Sequence, residues 1–386
     1  MTVTHPPEDP VLPKDPAYPR DAAYPRDAAY PRDAAYPEDP ACPKDPSKDP
    51  ALPDRRPPTL AHVAQLAGVS PATASRVLNG SARVSRTARL QVEAAVERLG
   101  YVRRRTGPPD RVSSGTIAAV VCEDGCRAIG DPYFARLLWG VRRELAGRAP
   151  LVVLMAGRAE EWRATTGYLR GGQAEGVLLV GARRAHLAPL VQAAAGAPVV
   201  LAGRPLEEVA LPYVDVDNFG GAQAAVRHLL ASGRRRIGTI AGPADMGAGV
   251  DRLAGYRLAV QEAGMGVNGL VCQGDFGRLS GERAMRRLLE RRPDLDAVLA
   301  ASDQMAVGAL SALRRAGRRV PDDVAVVGFD DAPVARQVRP RLTTVQQPAE
   351  DLGARLAREL RACTGGRPAG ERAVVLRTKL IIRESG

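Results

Sequence analysis

Cysteine is scarce in this chain, and the five that occur (Cys42, Cys122, Cys126, Cys272 and Cys363) are odd in number and mostly far apart. A disulfide framework is therefore not what stabilises it, and a reducing compartment is the expected setting. Cys122 and Cys126 could share one helix face, but no further Cys or His stands near them in sequence. A metal tetrad is not expected. Histidine is limited to His5, His62, His186 and His228. A Walker loop, a G-x-S-x-G elbow and a C-x-x-C pair are all missing, and the Gly-rich "GPADMGAG" lacks the Lys-Ser/Thr of a phosphate cradle. Neither an enzyme nor a resident cofactor is expected. No apolar run approaches the ~20 residues a membrane helix needs. The acidic, Pro-rich start has no apolar stretch of the kind a signal peptide carries, so a cytoplasmic protein is expected.

What is present is unevenly placed charge and apolar periodicity. The 386 residues suffice for two or three domains, and with 45% hydrophobic and 25% charged residues a sizeable core can form. The net charge of +12 permits an anionic partner. Residues 1–58 hold eight basic against eleven acidic side chains, a net of −3. Residues 59–106 hold eight Arg against two Glu, a net of +6, so the basic segment is short and local.

Within residues 14–46 a six-residue unit repeats as "AYPRDA" three times, then "AYPEDP" and "ACPKDP", with Tyr18, Tyr24, Tyr30 and Tyr36 marking the period. Proline in every unit opposes helix and ladder pairing, so residues 1–58 are expected to be an extended, polyproline-like tail. An unstructured tail is the plainer reading and a partner-docking segment the other. Residues 59–102 form a compact basic unit, and 103–114, "RRRTGPPDRVSS", read as a linker. From Gly115 to the end, apolar runs such as "TIAAVVC", "GVLLVG", "PVVLAG" and "VAVVGFD" alternate with helical stretches such as "YFARLLWGVRREL". That alternation predicts α/β architecture with parallel sheets covered on both faces. The span suits two such lobes with a ligand cleft between them, at the carboxyl ends of the strands.

The basic unit has a helix-turn-helix grammar. In "TLAHVAQLAGVSPATASRVLNG", Thr59 can cap a first helix with Val63 and Leu66 on its apolar face. Gly68 suits a left-handed stop, Val69 can anchor the turn, and Ser70-Pro71 is a cap followed by a first helical residue that needs no N–H. The second helix runs Pro71 to Leu78 and ends at Asn79-Gly80; Ser85 caps a third, with Val92, Ala95, Val96 and Leu99 at helical spacing. A recognition helix enters the major groove by its first turn, which must be slender. Pro71 and Ala72 keep that end narrow, while Thr73, Ser75 and Arg76 can reach phosphates or bases.

These motifs, with "VDNFGGAQAAVRHLLASGRRRIGTIAG", "RLAGYRLAV", "ASDQMAVGALSAL", "VPDDVAVVGFDD" and "LTTVQQP" following in order, resemble the lactose-repressor family of bacterial transcription regulators from Thr59 to the C-terminus. The resemblance implies an all-α helix-turn-helix headpiece on a two-lobed body like a periplasmic sugar-binding protein. Lobe one would comprise about 115–216 and 346–378 and lobe two about 217–341 and 379–386. The crossovers would lie near Asp217, near Leu342 and before Leu380. It implies a homodimer on a pseudo-palindromic double-stranded DNA operator. Bases would be read by Pro71, Ala72 and Arg76, and phosphates held by Thr59, Leu60, Ala61, Ser70, Thr73, Ser75 and Asn79. It also implies an effector held by Tyr133, Arg252, Phe276, Ser302 and Asp330. There Arg252 would be a bidentate donor, Phe276 a stacking ring and Asp330 an acceptor from hydroxyls. Polar side chains near Met246 and Ala248, typical of the family's purine responders, are missing, which favours a saccharide. The family's hinge helix has no counterpart after Tyr101. Arg103, Arg104 and Arg105 could contact the minor groove instead, or Val112 could wedge into it, or the hinge could kink DNA weakly. The expected function is a ligand-controlled repressor, the alternative a solute-binding component of a transport system.

Overall fold

In the computed structural model, residues 59–78, 84–99, 115–194, 196–364 and 373–386 are described. The repeat tail, Asn79, Gly80, Tyr101, Arg103, Arg104 and the rest of the linker lie outside them.

The headpiece consists of α1 (Leu60–Leu66), α2 (Pro71–Leu78) and α3 (Arg86–Leu99). Thr59 caps α1, accepting a hydrogen bond from the His62 N–H at 3.4 Å, and its own N–H donates to His62 Nδ1 at 3.2 Å. Ser70 and Ser85 cap α2 and α3 through the N–H groups of Thr73 and Ala88. Gly68 makes the turn with φ of 65°. Val63, Ala64, Ala67, Ala74, Val77, Val92 and Ala95 form the shared core. Leu66, expected on the apolar face, is 42% exposed. At about 100° per residue, Leu60, Val63, Ala64 and Ala67 already fill one stripe, and Leu66 falls roughly 110° from its centre.

The body begins with β1 (Thr116–Val121), α4 (Gly125–Gly130), α5 (Pro132–Leu145), β2 (Leu151–Met155), α6 (Ala159–Arg170), β3 (Ala174–Val180), α7 (Arg184–Ala193), β4 (Val199–Ala202) and β5 (Tyr213–Val216). A second round comprises α8 (Asn218–Ala231), β6 (Ile237–Ala241), α9 (Gly247–Glu262), β7 (Val271–Gln273), α10 (Arg278–Arg291), β8 (Ala297–Ala300), α11 (Asp303–Arg315), β9 (Ala325–Asp330), α12 (Val334–Gln337) and β10 (Thr343–Gln346). The chain then returns through α13 (Ala349–Thr364), β11 (Ala373–Leu376) and β12 (Lys379–Ile381). The first sheet has the order β2-β1-β3-β4-β5-β11 and the second β7-β6-β8-β9-β10-β12. All pairings are parallel except β12 on β10. Side-chain alternation divides β1: Ile117, Ala119 and Val121 face α5 and α13, while Ala118 and Val120 face α6 and α7. Burial on both faces is why the strand reads as an unbroken apolar run.

Three connections join the lobes. The first is at Asp217, whose N–H donates to the Leu376 carbonyl at 2.8 Å. The last is at Arg377–Thr378, where the Thr378 hydroxyl donates to the Asp217 carbonyl at 3.2 Å. The crossover expected near Leu342 instead follows Gln346, because β10 pairs with β9 on one side and β12 on the other. Buried Thr343, Thr344 and Val345 satisfy their backbone groups within the second sheet, where an open connection would leave them unpaired.

Candidate functional site

Two places bring the sequence-predicted residues together. On α2, Ala74 and Val77 point into the headpiece core, whereas Pro71, Ala72 and Arg76 are exposed and Thr73 and Ser75 half-buried. Thr59, Ala61 and Ser70 are exposed, and Leu60 packs against the core edge. The Ser70 hydroxyl lies 2.8 Å from that of Thr73 and also accepts the Thr73 N–H, so cap and first turn form one rigid unit.

The second place is the cleft between the lobes, which encloses about 1120 Å³ of space, part of it open to solvent. Tyr133, Arg252, Phe276, Ser302 and Asp330 all line it. Tyr133 opens α5 beside the N-cap Asp131, whose carboxylate accepts its N–H at 3.0 Å. Its ring meets Phe134 edge-on at 5.4 Å, and burial pushes its hydroxyl above the usual phenol range.

Arg252 projects from α9 and is 6% exposed. Its Nε donates to Asn218 Oδ1 at 2.8 Å and its Nη1 to the Ala301 carbonyl at 2.6 Å. Its guanidinium lies 3.6 Å from the Phe329 ring centroid, 5.6 Å from that of Phe276, and 3.5 Å from Asp330. Two of its five N–H donors are committed to protein, so Arg252 organises the pocket floor, and the three others, on Nη1 and Nη2, are the ones that the expected bidentate donation to a ligand would use.

Asp330 ends β9 with φ of 122° and accepts from Gln347 Nε2 at 2.6 Å. Burial raises its pKa, opposed by the Arg252 guanidinium. Phe276 follows β7 in a left-handed conformation, φ 70°. Ser302, expected to face the effector, caps α11 by accepting the Met305 N–H at 3.1 Å and donates its proton to the Phe276 carbonyl at 2.8 Å.

Sequence reading missed Asp131, Asp215, Asn218 and Gln347 in the lining. Asp215 accepts from the N–H groups of Arg204 and Val216 and from Asn218 Nδ2, and burial, which those backbone donors oppose, pushes it up to about 6. Its place near the carboxyl end of β5, in "YVDVDN", was the available signal. Across the mouth, Arg183 meets Asp245 at 3.0 Å, Arg204 meets Asp251 at 2.6 Å, and Arg127 of α4 reaches the Asp275 carbonyl. Such a cavity, with carboxylate acceptors, amide groups and an aromatic wall, is suited to a polyhydroxylated neutral ligand. Among the described residues no group of three or more His, Cys, Asp or Glu is placed to hold a metal ion. No described helix is long and apolar enough to cross a membrane.

Comparison with known proteins gives a consistent result. Residues 59–104 match the bacterial regulatory proteins of the lacI family, and residues 226–386 match a periplasmic binding protein-like domain. The chain is 46% identical over 337 residues to the HTH-type transcriptional regulator CelR of Thermobifida fusca, covering 86% of this chain and 99% of the relative. It is 33% identical to the HTH-type transcriptional repressor CytR of Escherichia coli K12, covering 85% of this chain and 96% of the relative. Among solved structures, a CelR–cellobiose complex matches with TM-score 0.69 and 46% identity over 85% of this chain and 100% of that one. The lac repressor dimer bound to operator and the anti-inducer ONPF matches with TM-score 0.62 and 26% identity, over 86% and 99%.

Proposed function

The chain belongs to the lacI family of bacterial regulatory proteins, and from that membership we propose that it is a dimeric operator-binding repressor controlled by a short saccharide held between its lobes. It is a transcriptional regulator and not an enzyme, and the transport reading is set aside because these relatives are regulators matched over nearly their whole length.

The observation that carries the reading is the division of α2: Ala74 and Val77 fasten it while Pro71, Ala72 and Arg76 stand outward. That leaves a narrow turn able to enter the major groove, with Arg76 able to donate to guanine or phosphate. Large exposed apolar side chains support a second copy as partner: Trp139 of α5 is 62% exposed, Leu279 of α10 71% and Ile129 of α4 80%. Two headpieces would read a pseudo-palindrome in the cytoplasm, where the DNA lies. The relative bound to cellobiose makes that sugar the first effector to try. An effector alters operator affinity only through its different affinity for the two lobe arrangements, a coupling of about 1–3 kcal/mol in typical cases.

The test is a titration of the DNA upstream of the protein's own gene at fixed salt. Arg76→Ala should weaken specific binding by about 1–3 kcal/mol with the fold intact. Equal operator affinity for both proteins would refute the role given to α2, and an operator complex indifferent to every saccharide would refute the effector.

A further inference from the structure

Phe276 is one of few side chains other than glycine with positive φ among the described residues, at 70°. An L-residue in that region is disfavoured and persists only when its surroundings hold it there. The brace on one side is local: Asp275 Oδ1 accepts from the Gly277 N–H at 2.7 Å and from the Ser280 hydroxyl at 2.6 Å. The brace on the other side is Ser302, whose hydroxyl donates to the Phe276 carbonyl at 2.8 Å. Ser302 is 3% exposed, and its oxygen also accepts the Met305 N–H at 3.1 Å. A serine hydroxyl has one proton, so this one has none to offer a ligand. The ring it holds fits a narrow slot: a Cβ on Gly242 would lie 2.4 Å from Phe276 Cε1.

We propose that Ser302 is a positioning residue for effector recognition, setting the Phe276 ring as the wall of the cleft rather than touching the ligand itself. The inference rests on the saccharide reading of the cleft. Removing the hydroxyl leaves the Phe276 carbonyl without its donor and frees the peptide to leave the left-handed region. The ring then samples positions that do not stack on a sugar face.

The experiment is a double-mutant cycle read by calorimetric titration with cellobiose. Ser302→Ala should raise Kd about five- to tenfold, the worth of one buried hydrogen bond. In a Phe276→Ala background the same change should alter Kd by less than about twofold, because the group it acts through is gone. Ser302→Thr, which keeps a hydroxyl, should restore most of the affinity. Loss of the α11 cap lowers the melting temperature in either background, which separates the structural cost from the positioning effect. A ligand-independent signature is available because the chain has only four phenylalanines, Phe134, Phe219, Phe276 and Phe329. With fluorophenylalanine incorporated, Ser302→Ala should move the Phe276 resonance in the sugar-free protein and leave the Phe134 resonance in place. An unmoved resonance, an unchanged Kd, or an equal loss of affinity in both backgrounds would overturn the assignment. If the parent protein binds no saccharide, the functional reading fails, and the fluorine signal alone then decides whether Ser302 holds Phe276.

Discussion

Truncating Arg252 to alanine removes a guanidinium that joins β8, α8, β9 and the cleft. The change deletes bonds to Asn218 Oδ1 and the Ala301 carbonyl, the stack on Phe329 at 3.6 Å, and the cation 3.5 Å from Asp330. Breaking a buried ion pair by removing one partner costs about 3–5 kcal/mol, and each orphaned acceptor adds about 1–3 kcal/mol when taken alone. These figures do not add. Asp330 already sits above the usual carboxylate range through burial, and losing its cation raises it further, so near neutral pH it can take up a proton and limit the loss. A net cost of about 3 kcal/mol is expected, equivalent to roughly 6–12 °C in Tm at 2–4 °C per kcal/mol. Because the carboxyl is held protonated in the fold, the deficit should be smaller in mild acid and grow as pH rises. The assay is thermal unfolding by circular dichroism with and without cellobiose, paired with operator binding by anisotropy. Arg252→Ala should melt lower, show no sugar-induced rise in Tm, and still bind operator through the headpiece, whose core is its own. Arg252→Lys should recover little, since one ammonium cannot reach both acceptors and stack. A variant melting within about 1 kcal/mol of the parent while keeping the full sugar-induced shift would refute the role of Arg252 as the organising centre.

Other outcomes follow from particular contacts. Asp215 is raised by burial to about 6, so its contribution to stability is full below its ordinary pKa and declines until pH passes that value. In the saccharide reading, hydroxyls donate to the ionised forms of Asp215 and Asp330, so cellobiose affinity should strengthen as pH climbs through about 6 and about 7 and then level off; titration calorimetry across that range showing a flat or falling affinity would contradict this. Gly353→Ala would place a Cβ 2.0 Å from the Leu137 carbonyl where α13 meets α5, and backbone cannot yield cheaply there. A loss of about 1–3 kcal/mol in urea unfolding is expected, and no measurable loss would show that the two helices part easily. Trp139→Glu puts charge on an exposed apolar position of α5. Sedimentation should show a folded monomer in place of a dimer, and an unaltered dimer would place the interface elsewhere.

Much of the headpiece was legible because its signals are local. Thr59, Ser70 and Ser85 cap through N–H groups within three residues, and Gly68 needs no neighbour to adopt its turn. Leu66 was misjudged because two positions three residues apart, Val63 and Leu66, do not locate the centre of a helical stripe; the placement of Leu60, Ala64 and Ala67 does. In the body, the family resemblance placed the crossover near Leu342, so the four residues of β10, "TTVQ", went unread as a strand. Its strand character comes from two partners distant in sequence. The α4 segment, "GCRAIG", is only six residues long with glycine at both ends, and nothing nearby announced that Arg127 would cross to Asp275.

Sequence alone determined most of the helices and strands, those whose signals are local, and which side chains have chemistry suited to DNA and to a sugar. Those properties depend on periodicity, capping and charge over a few residues. Tertiary structure alone decided what each cleft side chain is able to do. Arg252 and Ser302 have the same donors in any sequence, but only the packing of α9 and α11 against their neighbours directs those donors to Asn218, Ala301 and Phe276. A hydrogen atom can be given once, and the fold settles where it goes.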